Sequence, residues 1–397
     1  MIYVLFCSIS HAYYSRIINH PFSIDFAGNI FTIFTRNIIT NSIIMVKQNL
    51  LFIFFIIIFI NLFTQNTSKV YFTKDISPEG VMKVYNMIKD DMHGKVGIKV
   101  HFGEEGNDNY LKPDLMKKLV KKTKATFVET NVLYVSKRRY TESHIQLAKE
   151  HGFTYAPIDI MDSDTDKVYK VDMKHYKEVK VGSHVDNYDS FIIFSHFKGH
   201  GLSGFGGAIK NVSMGFASVA GKMALHASTI PVTHPNKCRN CNACIKECPV
   251  GAITLNPLKI DSTKCIGCGK CIGECGFRAF DVPWKSTEQS EFLERLVEYA
   301  KVISDSTYMV YINVLANIST GCDCARSQQV PFMEDIGIMA STDIVAIEKA
   351  SHDLIDKTHN CDDTFRKVNS VSGKDQIEYA FKLGMGNKEY ELIDLDK

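Results

Sequence analysis

Eight of the chain's twelve cysteines fall between Cys238 and Cys275, in two runs of identical spacing. Cys238, Cys241, Cys244 and Cys248, followed by Pro249, read C-x2-C-x2-C-x3-C-P. Cys265, Cys268, Cys271 and Cys275, followed by Gly276, repeat the pattern 27 positions later. Three cysteines at x2 spacing wrap three thiolates round one cubane, while the displaced fourth reaches another. The spacing therefore predicts two [4Fe–4S] clusters with crossed fourth ligands. Cys238, Cys241, Cys244 and Cys275 would hold one, and Cys265, Cys268, Cys271 and Cys248 the other. Zinc knots use well-separated C-x2-C pairs, a different pattern. The repeat continues past the cysteines, since Ala252-Ile253 maps onto Ala279-Phe280. Ala243, Gly267, Gly269 and Gly273 are expected in loops that must approach the sulfides. Gly276 in place of proline leaves Cys275 less rigidly held.

Two further groups could do chemistry. After an apolar stretch at residues 191–195 comes a glycine-rich segment carrying His196, Lys198, His200 and Lys210. Glycines between a strand's C-terminal end and a helix are where open α/β sheets bind ligands, and these four side chains could neutralise an anion. Gly199, Gly201 and Gly204 match G-x-G-x-x-G, but no acidic residue follows about 20 positions later, so a dinucleotide fingerprint is not expected. A ligand site and a tight structural crossing both fit this segment. Cys322-Asp323-Cys324 could chelate a metal, form a redox pair or be ordinary thiols, and Cys361 could join them.

These residues need a scaffold, and the elements around them alternate. Strands are expected at residues 69–73, 96–102, 126–132, 191–195 and 308–315. Helices are expected after Ser77-Pro78-Glu79, from Pro113, over 141–151, from about Leu293 and over 343–355. Strands alternating with helices predict an α/β class with a mostly parallel sheet. The pattern stops near Pro231 and resumes after Trp284. The expected organisation is an α/β domain in two parts, 68–232 and 286–397, interrupted by a small α+β ferredoxin-like 2[4Fe–4S] module at 233–285. From His234 to Trp284, seven basic residues outnumber four acidic ones, which would offset anionic clusters and suit a relay docked on its host or fed by an acidic partner.

The first 67 residues differ. Before Ser68 there are four charges (Arg16, Asp25, Arg36 and Lys47), and residues 50–63 form an apolar run broken only at Asn61. That run is short for a spanning helix. A misplaced start, an uncleaved anchor and a cleaved signal all fit, and the first is preferred because oxygen-sensitive clusters are built in a reducing cytoplasm. Location is thus expected to be cytoplasmic, with a membrane anchor through 50–63 as the alternative. A formal net charge of +2 with no strongly basic block argues against nucleic acid as a partner.

Residues 195–200, the stretch 204–211, the inserted cysteine module, Cys322-Asp323-Cys324 and residues 335–341 (Asp-Ile-Gly-Ile-Met-Ala-Ser) together resemble the iron–sulfur proteins of the domain-of-unknown-function three-sixty-two family. The resemblance runs from about Ser68 to the C-terminus. It implies an α/β domain with an inserted 4Fe–4S module and a redox role in anaerobic metabolism, with no substrate attached. The leading expectation is an iron–sulfur oxidoreductase or electron-transfer protein. Its expected partners are a ferredoxin, flavodoxin or reductase and an unidentified small molecule. The alternatives are a metal- or ligand-binding or maturation protein with structural clusters, and a membrane-tethered electron conduit.

Overall fold

The computed structural model describes residues 67–226, 230–283 and 287–397, together with Met45 and Phe52. The chain divides into two units, Met1–Gln65 and Asn66–Lys397, and every element described here belongs to the second. The expectations placed on residues 1–66, including the apolar run at 50–63, lie outside the described residues. Among the described residues no helix is long and apolar enough to cross a membrane.

The elements follow one another as β1 (Ser68–Thr73), α1 (Pro78–Tyr85), β2 (Val96–Lys99), α2 (Lys117–Thr123), β3 (Thr126–Glu129), α3 (Thr141–Glu150), β4 (Ile158–Ile160), β5 (Asp166–Lys170), β6 (Glu178–Gly182), β7 (Ser190–His196), β8 (Lys198–His200), β9 (Gly204–Gly206), α4 (Ala208–Phe216), α5 (Val219–His226), β10 (Val232–Thr233), α6 (Ala243–Glu247), β11 (Ile253–Thr254), β12 (Lys259–Ile260), α7 (Lys270–Glu274), β13 (Phe280–Asp281), α8 (Gln289–Ser304), β14 (Tyr308–Leu315), β15 (Gly337–Ser341), α9 (Ile344–Thr358), α10 (Thr364–Asn369), α11 (Lys374–Lys382) and β16 (Tyr390–Asp394). Eight strands form one sheet in the order β16-β1-β15-β14-β7-β2-β3-β4. Only β15 runs against the rest, so the sheet is mostly parallel and the class is α/β.

Helices cover both faces, which explains why the strands read as continuous apolar runs. In β7, Phe191 and Ile193 face one core and Ile192 and Phe194 the other. In β14, Met309, Tyr311 and Leu315 face the first and Val310, Ile312 and Val314 the second. The first core is closed by α4, α8 and α9 through Ile209, Val212, Phe216, Leu293, Leu296 and Ile347. The second is closed by α1, α2 and α3 through Val81, Val84, Leu119 and Ala148. Ser77 caps α1, its hydroxyl accepting from the Glu79 and Gly80 amides, with Pro78 in the first turn.

Two strands end earlier than their sequence suggests. The apolar–polar alternation over 96–102 predicts one long strand, but β2 stops at Lys99, and 126–132 narrows to β3. The polar face of that alternation does not meet water: Lys99 is 1% exposed, paired to Glu129 across a sheet covered on both sides.

Strands from before and after the cysteine-rich segment build the same sheet, β14 lying beside β7 and β15 beside β1. The segment itself is an internal duplication in three dimensions. Strands β10 and β12, helices α6 and α7, and strands β11 and β13 are each related by the 27-residue offset of the cysteines. So are three left-handed backbone positions, Asn240, Asn242 and Gly251 in one half and Gly267, Gly269 and Arg278 in the other. The halves exchange strands: β10 pairs with β13, and β11 with β12. Each half's first strand therefore closes on the last strand of its sister.

Candidate functional site

From β2 the chain winds outward through β3 to β4, then returns to place β7 and β14 on the opposite side of β2. The direction of winding thus reverses between β2 and β7. Open α/β sheets bind ligands at such a point, outside the carboxyl ends of the strands. A cavity of about 200 Å³ lies there, lined by Lys99 at the end of β2 and His101 beyond it, Glu129 at the end of β3 and Leu133 beyond it, and Ser195 and His196 at the end of β7. Lys210 of α4, Lys222 of α5 and the Cys322–Cys324 turn after β14 complete its wall.

Its charges are paired in an enclosed network. Glu129 receives Lys99 at 2.9 Å and Arg138 at 3.0 Å, with all three side chains no more than 3% exposed. Burial alone would raise the Glu129 carboxyl, but Lys99 and Arg138 outweigh it and hold it below its ordinary value. Arg138 also meets His101 at 2.9 Å and His144 at 3.3 Å. Burial and the neighbouring Arg138 keep both histidines well below their ordinary value. A second node is Asp323, which takes Lys198 Nζ at 2.6 Å and His196 Nδ1 at 3.0 Å. Burial opposes its ionisation, and His196 and Lys198 overcome that.

The four side chains singled out in the glycine-rich segment come together at this cavity in different states. His196 has no free nitrogen, since Nε2 meets the Ala316 carbonyl at 2.6 Å and Nδ1 meets Asp323. Lys198 is likewise occupied by Asp323 and the Asn109 carbonyl. His200 accepts at Nδ1 from the amides of Leu202 and Ser203, which leaves Nε2 to carry the ring proton. Burial, then Lys210, hold it well below its ordinary value. The Lys210 ammonium has no hydrogen bond or ion pair among the described residues, and burial pushes it down to about 8. The glycines form the β8–β9 hairpin rather than a phosphate-binding turn, and Gly204, at φ +76, packs against the backbone of residues 371–373.

Lys99, Glu129, Arg138, Lys222 and Asp323 were not singled out by sequence. A lysine ending a strand that is otherwise apolar was the available signal for Lys99. Asp323 stood between two cysteines already noticed. Arg138 and Lys222 had none, because only the fold brings them in. Lys222 donates to the Asn131 and Ala217 carbonyls at 2.7 and 2.8 Å, and burial pushes it to about 8.

Cys322 and Cys324 are joined in a disulfide. A ring nitrogen of His200 and the two sulfurs lie within 4.8 Å of one another, the one group of three possible metal ligands that close among the described residues. Cys361 stands apart from it as a free thiol.

The eight cysteines of the duplicated segment are all free thiols. No three of them are close enough to share a single ion. Burial raises the Cys244 thiol, followed by Cys275, Cys238 and Cys241. Burial pushes Cys271 up to about 12, followed by Cys268, Cys265, Cys244 and Cys248. In each half the neighbours thus include the last cysteine of the other half. The amides of Ala252 and Ala279 donate to Cys248 and Cys275, both at 3.2 Å. Ala243 opens α6, Gly267 and Gly269 supply left-handed backbone, and Gly273 lies inside α7 where a Cβ would sit 1.9 Å from Arg139 Nε.

The segment is seated on the sheet domain by its second half. Leu133 and Met223 belong to its apolar core, and a Cβ on Gly269 would lie 2.5 Å from Leu133 Cδ1. Tyr140 donates to Glu274 at 2.9 Å. Arg139 is buried against Gly273, and its Nε has no hydrogen-bond partner among the described residues.

Fold and site together define an α/β protein with a cavity at its switch point and a duplicated segment carrying eight free cysteines. The chain belongs to the family described as Domain of unknown function (DUF362), whose model matches residues 96–353. No curated protein matches it. Among solved structures, the lactate racemase apoprotein from Thermoanaerobacterium thermosaccharolyticum is similar at 13% identity and a TM-score of 0.31, over 62% of this chain and 50% of that one. A Thermotoga maritima protein is similar at 8% identity and a TM-score of 0.37, over 72% and 59%. The chain thus spans between half and three fifths of these two structures, and scores so low add nothing to the reading of the site.

Proposed function

We propose that this is an iron–sulfur protein that moves electrons through two [4Fe–4S] clusters to or from a small molecule bound in the switch-point cavity. The observation that carries the reading is the seat of Gly269 on Leu133, because Leu133 also lines the cavity. One set of four cysteines is therefore a single side chain away from the candidate ligand site.

The residues fit the clusters. The repeated C-x2-C-x2-C-x3-C spacing matches the crossed ligation of two-cluster modules, and the electrostatic neighbours of Cys244 include Cys275 while those of Cys271 include Cys248. Cys238, Cys241, Cys244 and Cys275 would hold one cluster and Cys265, Cys268, Cys271 and Cys248 the other. Arg139 adds a buried cation at the seam, with Glu274 and Cys268 among its electrostatic neighbours. Clusters of this kind supply one-electron transfer when bound. The chain's own residues do the rest. Lys210 offers a free cation to an anionic ligand, the Lys99–Glu129–Arg138 network fixes the cavity wall, and Leu133 separates the cysteine loop from solvent in the cavity. A ferredoxin, flavodoxin or reductase is the partner proposed to exchange electrons with the module.

The test is anaerobic purification with iron and acid-labile sulfide counts. About eight of each per chain are expected, and bound zinc or about four irons would overturn the two-cluster assignment. A second reading is a metal-handling protein, favoured by the closeness of His200, Cys322 and Cys324. Its mark would be one further metal per chain that is lost in Cys322→Ser while the module's iron stays.

A further inference from the structure

The Cys322–Cys324 pair faces the same cavity as Lys210 and Leu133, and the reading above gives it no task. We propose that it is a redox-active disulfide, which takes up the electrons delivered through the module and serves as the two-electron group of the cavity. The inference rests on the relay reading for the origin of its electrons.

Four observations carry it. First, the turn is anchored at its centre: Asp323 is fixed by Lys198 and His196, and Asn107 Nδ2 donates to the Ala325 carbonyl at 2.9 Å. The two sulfurs flank a fixed residue, so breaking their bond need not displace the turn. Second, the surroundings suit a sulfur that gains charge. The Cys324 amide donates to Cys322 Sγ at 3.3 Å, and a ring nitrogen of His200 lies within 4.8 Å of both sulfurs. With Nδ1 of His200 accepting from two amides, its other ring nitrogen carries a hydrogen that it can donate. Third, the pair connects to the module through consecutive residues. Leu133 packs on Gly269, and the next residue, Tyr134, places its hydroxyl 3.4 Å from the Cys324 carbonyl. Fourth, a bridge across one residue closes too small a loop to stabilise a fold much, so a structural role does not account for it.

The step balances as follows. The S–S bond breaks, two electrons enter, and two protons complete the Cys322 and Cys324 thiols. The electrons come from two molecules of an external one-electron reductant of the low-potential ferredoxin class, each oxidised by one electron. Both protons come from solvent.

The test is an anaerobic reductive titration of the whole chain with dithionite, followed by EPR and by alkylation and mass spectrometry of Cys322 and Cys324. The native protein is expected to take up about four electrons per chain, two at the clusters and two at the disulfide, and Cys322→Ser or Cys324→Ser about two. Unchanged iron and EPR signals in both variants would show that they fold. Both cysteines should be protected before reduction and alkylated after it. Reduced clusters with a pair that stays protected would sink the inference and leave the relay standing. So would a pair alkylated equally before and after, or one protected in the reduced chain by a bound metal. Absence of any EPR signal from a chain that lacks iron would instead overturn the relay reading.

Discussion

The duplicated cysteine segment takes its eight thiols from residues 238–275, whereas the switch-point cavity takes its charges from β2, β3, the turn after β3, the end of β7, α4, α5 and the turn after β14. The first region is written in local spacing, and each half supplies what the other lacks. The second exists only once the sheet has formed, since Lys99 and Glu129 meet because β2 and β3 are neighbours. Damage should therefore be confined in the segment and spread widely in the cavity.

The largest effects belong to the thiols. Cys271→Ser should remove one cluster, cutting iron from about eight to about four per chain. Crossing makes a sharper demand: Cys275→Ser should abolish the same EPR signal as Cys238→Ser, and Cys248→Ser the same as Cys265→Ser. The opposite pairing would show that each half holds its own cluster.

In the cavity, Arg138→Leu would strip Glu129 and Glu104 of a buried partner. Removing one member of a buried pair costs roughly 3–5 kcal/mol, a fall in Tm of order 10 °C. The module's iron should survive in whatever protein remains folded. An unchanged Tm would break the contrast between the two regions.

Glu348 gives a smaller, pH-dependent test. Burial pushes its carboxyl up to about 7, although it accepts from the Ala208 amide that begins the helix carrying Lys210. With a folded value above the unfolded one, its contribution is complete below about pH 4 and is lost as pH rises through 7. Glu348→Gln should flatten the fall in stability between pH 5 and 8, gaining on the order of 3 kcal/mol over the native chain at pH 8. Parallel curves for the two proteins would refute it.

The seam between the regions should respond least in stability. Gly273→Ala drives a methyl group into Arg139, with an overpacking cost of about 1–3 kcal/mol. It should slow electron delivery to the cavity with iron content intact. An unchanged rate would mean that the Gly273–Arg139 contact is no part of the seam the electrons cross.

The same contrast decides what the sequence disclosed. The α/β class, the buried strand at β7 and α8's apolar face of Leu293, Leu296, Val297 and Ala300 were legible because periodicity reports burial directly. The strand at Tyr308–Leu315 was legible for the same reason. The exchange of strands between the two halves was not, because pairing partners leave no local mark. In the glycine-rich segment the residue types were noticed, yet types alone could not separate Lys210, which is free, from Lys198 and His196, which Asp323 holds. That distinction depends on a residue more than 100 positions away in the chain.

The central claim, that the cysteine segment is an electron relay, is tested most directly by an EPR-monitored redox titration of the anaerobically purified chain. Two [4Fe–4S] signals that appear and vanish reversibly with potential, each integrating to about one spin per chain, are the predicted result. Clusters that stay EPR-silent or break down on reduction across the physiological range would contradict it.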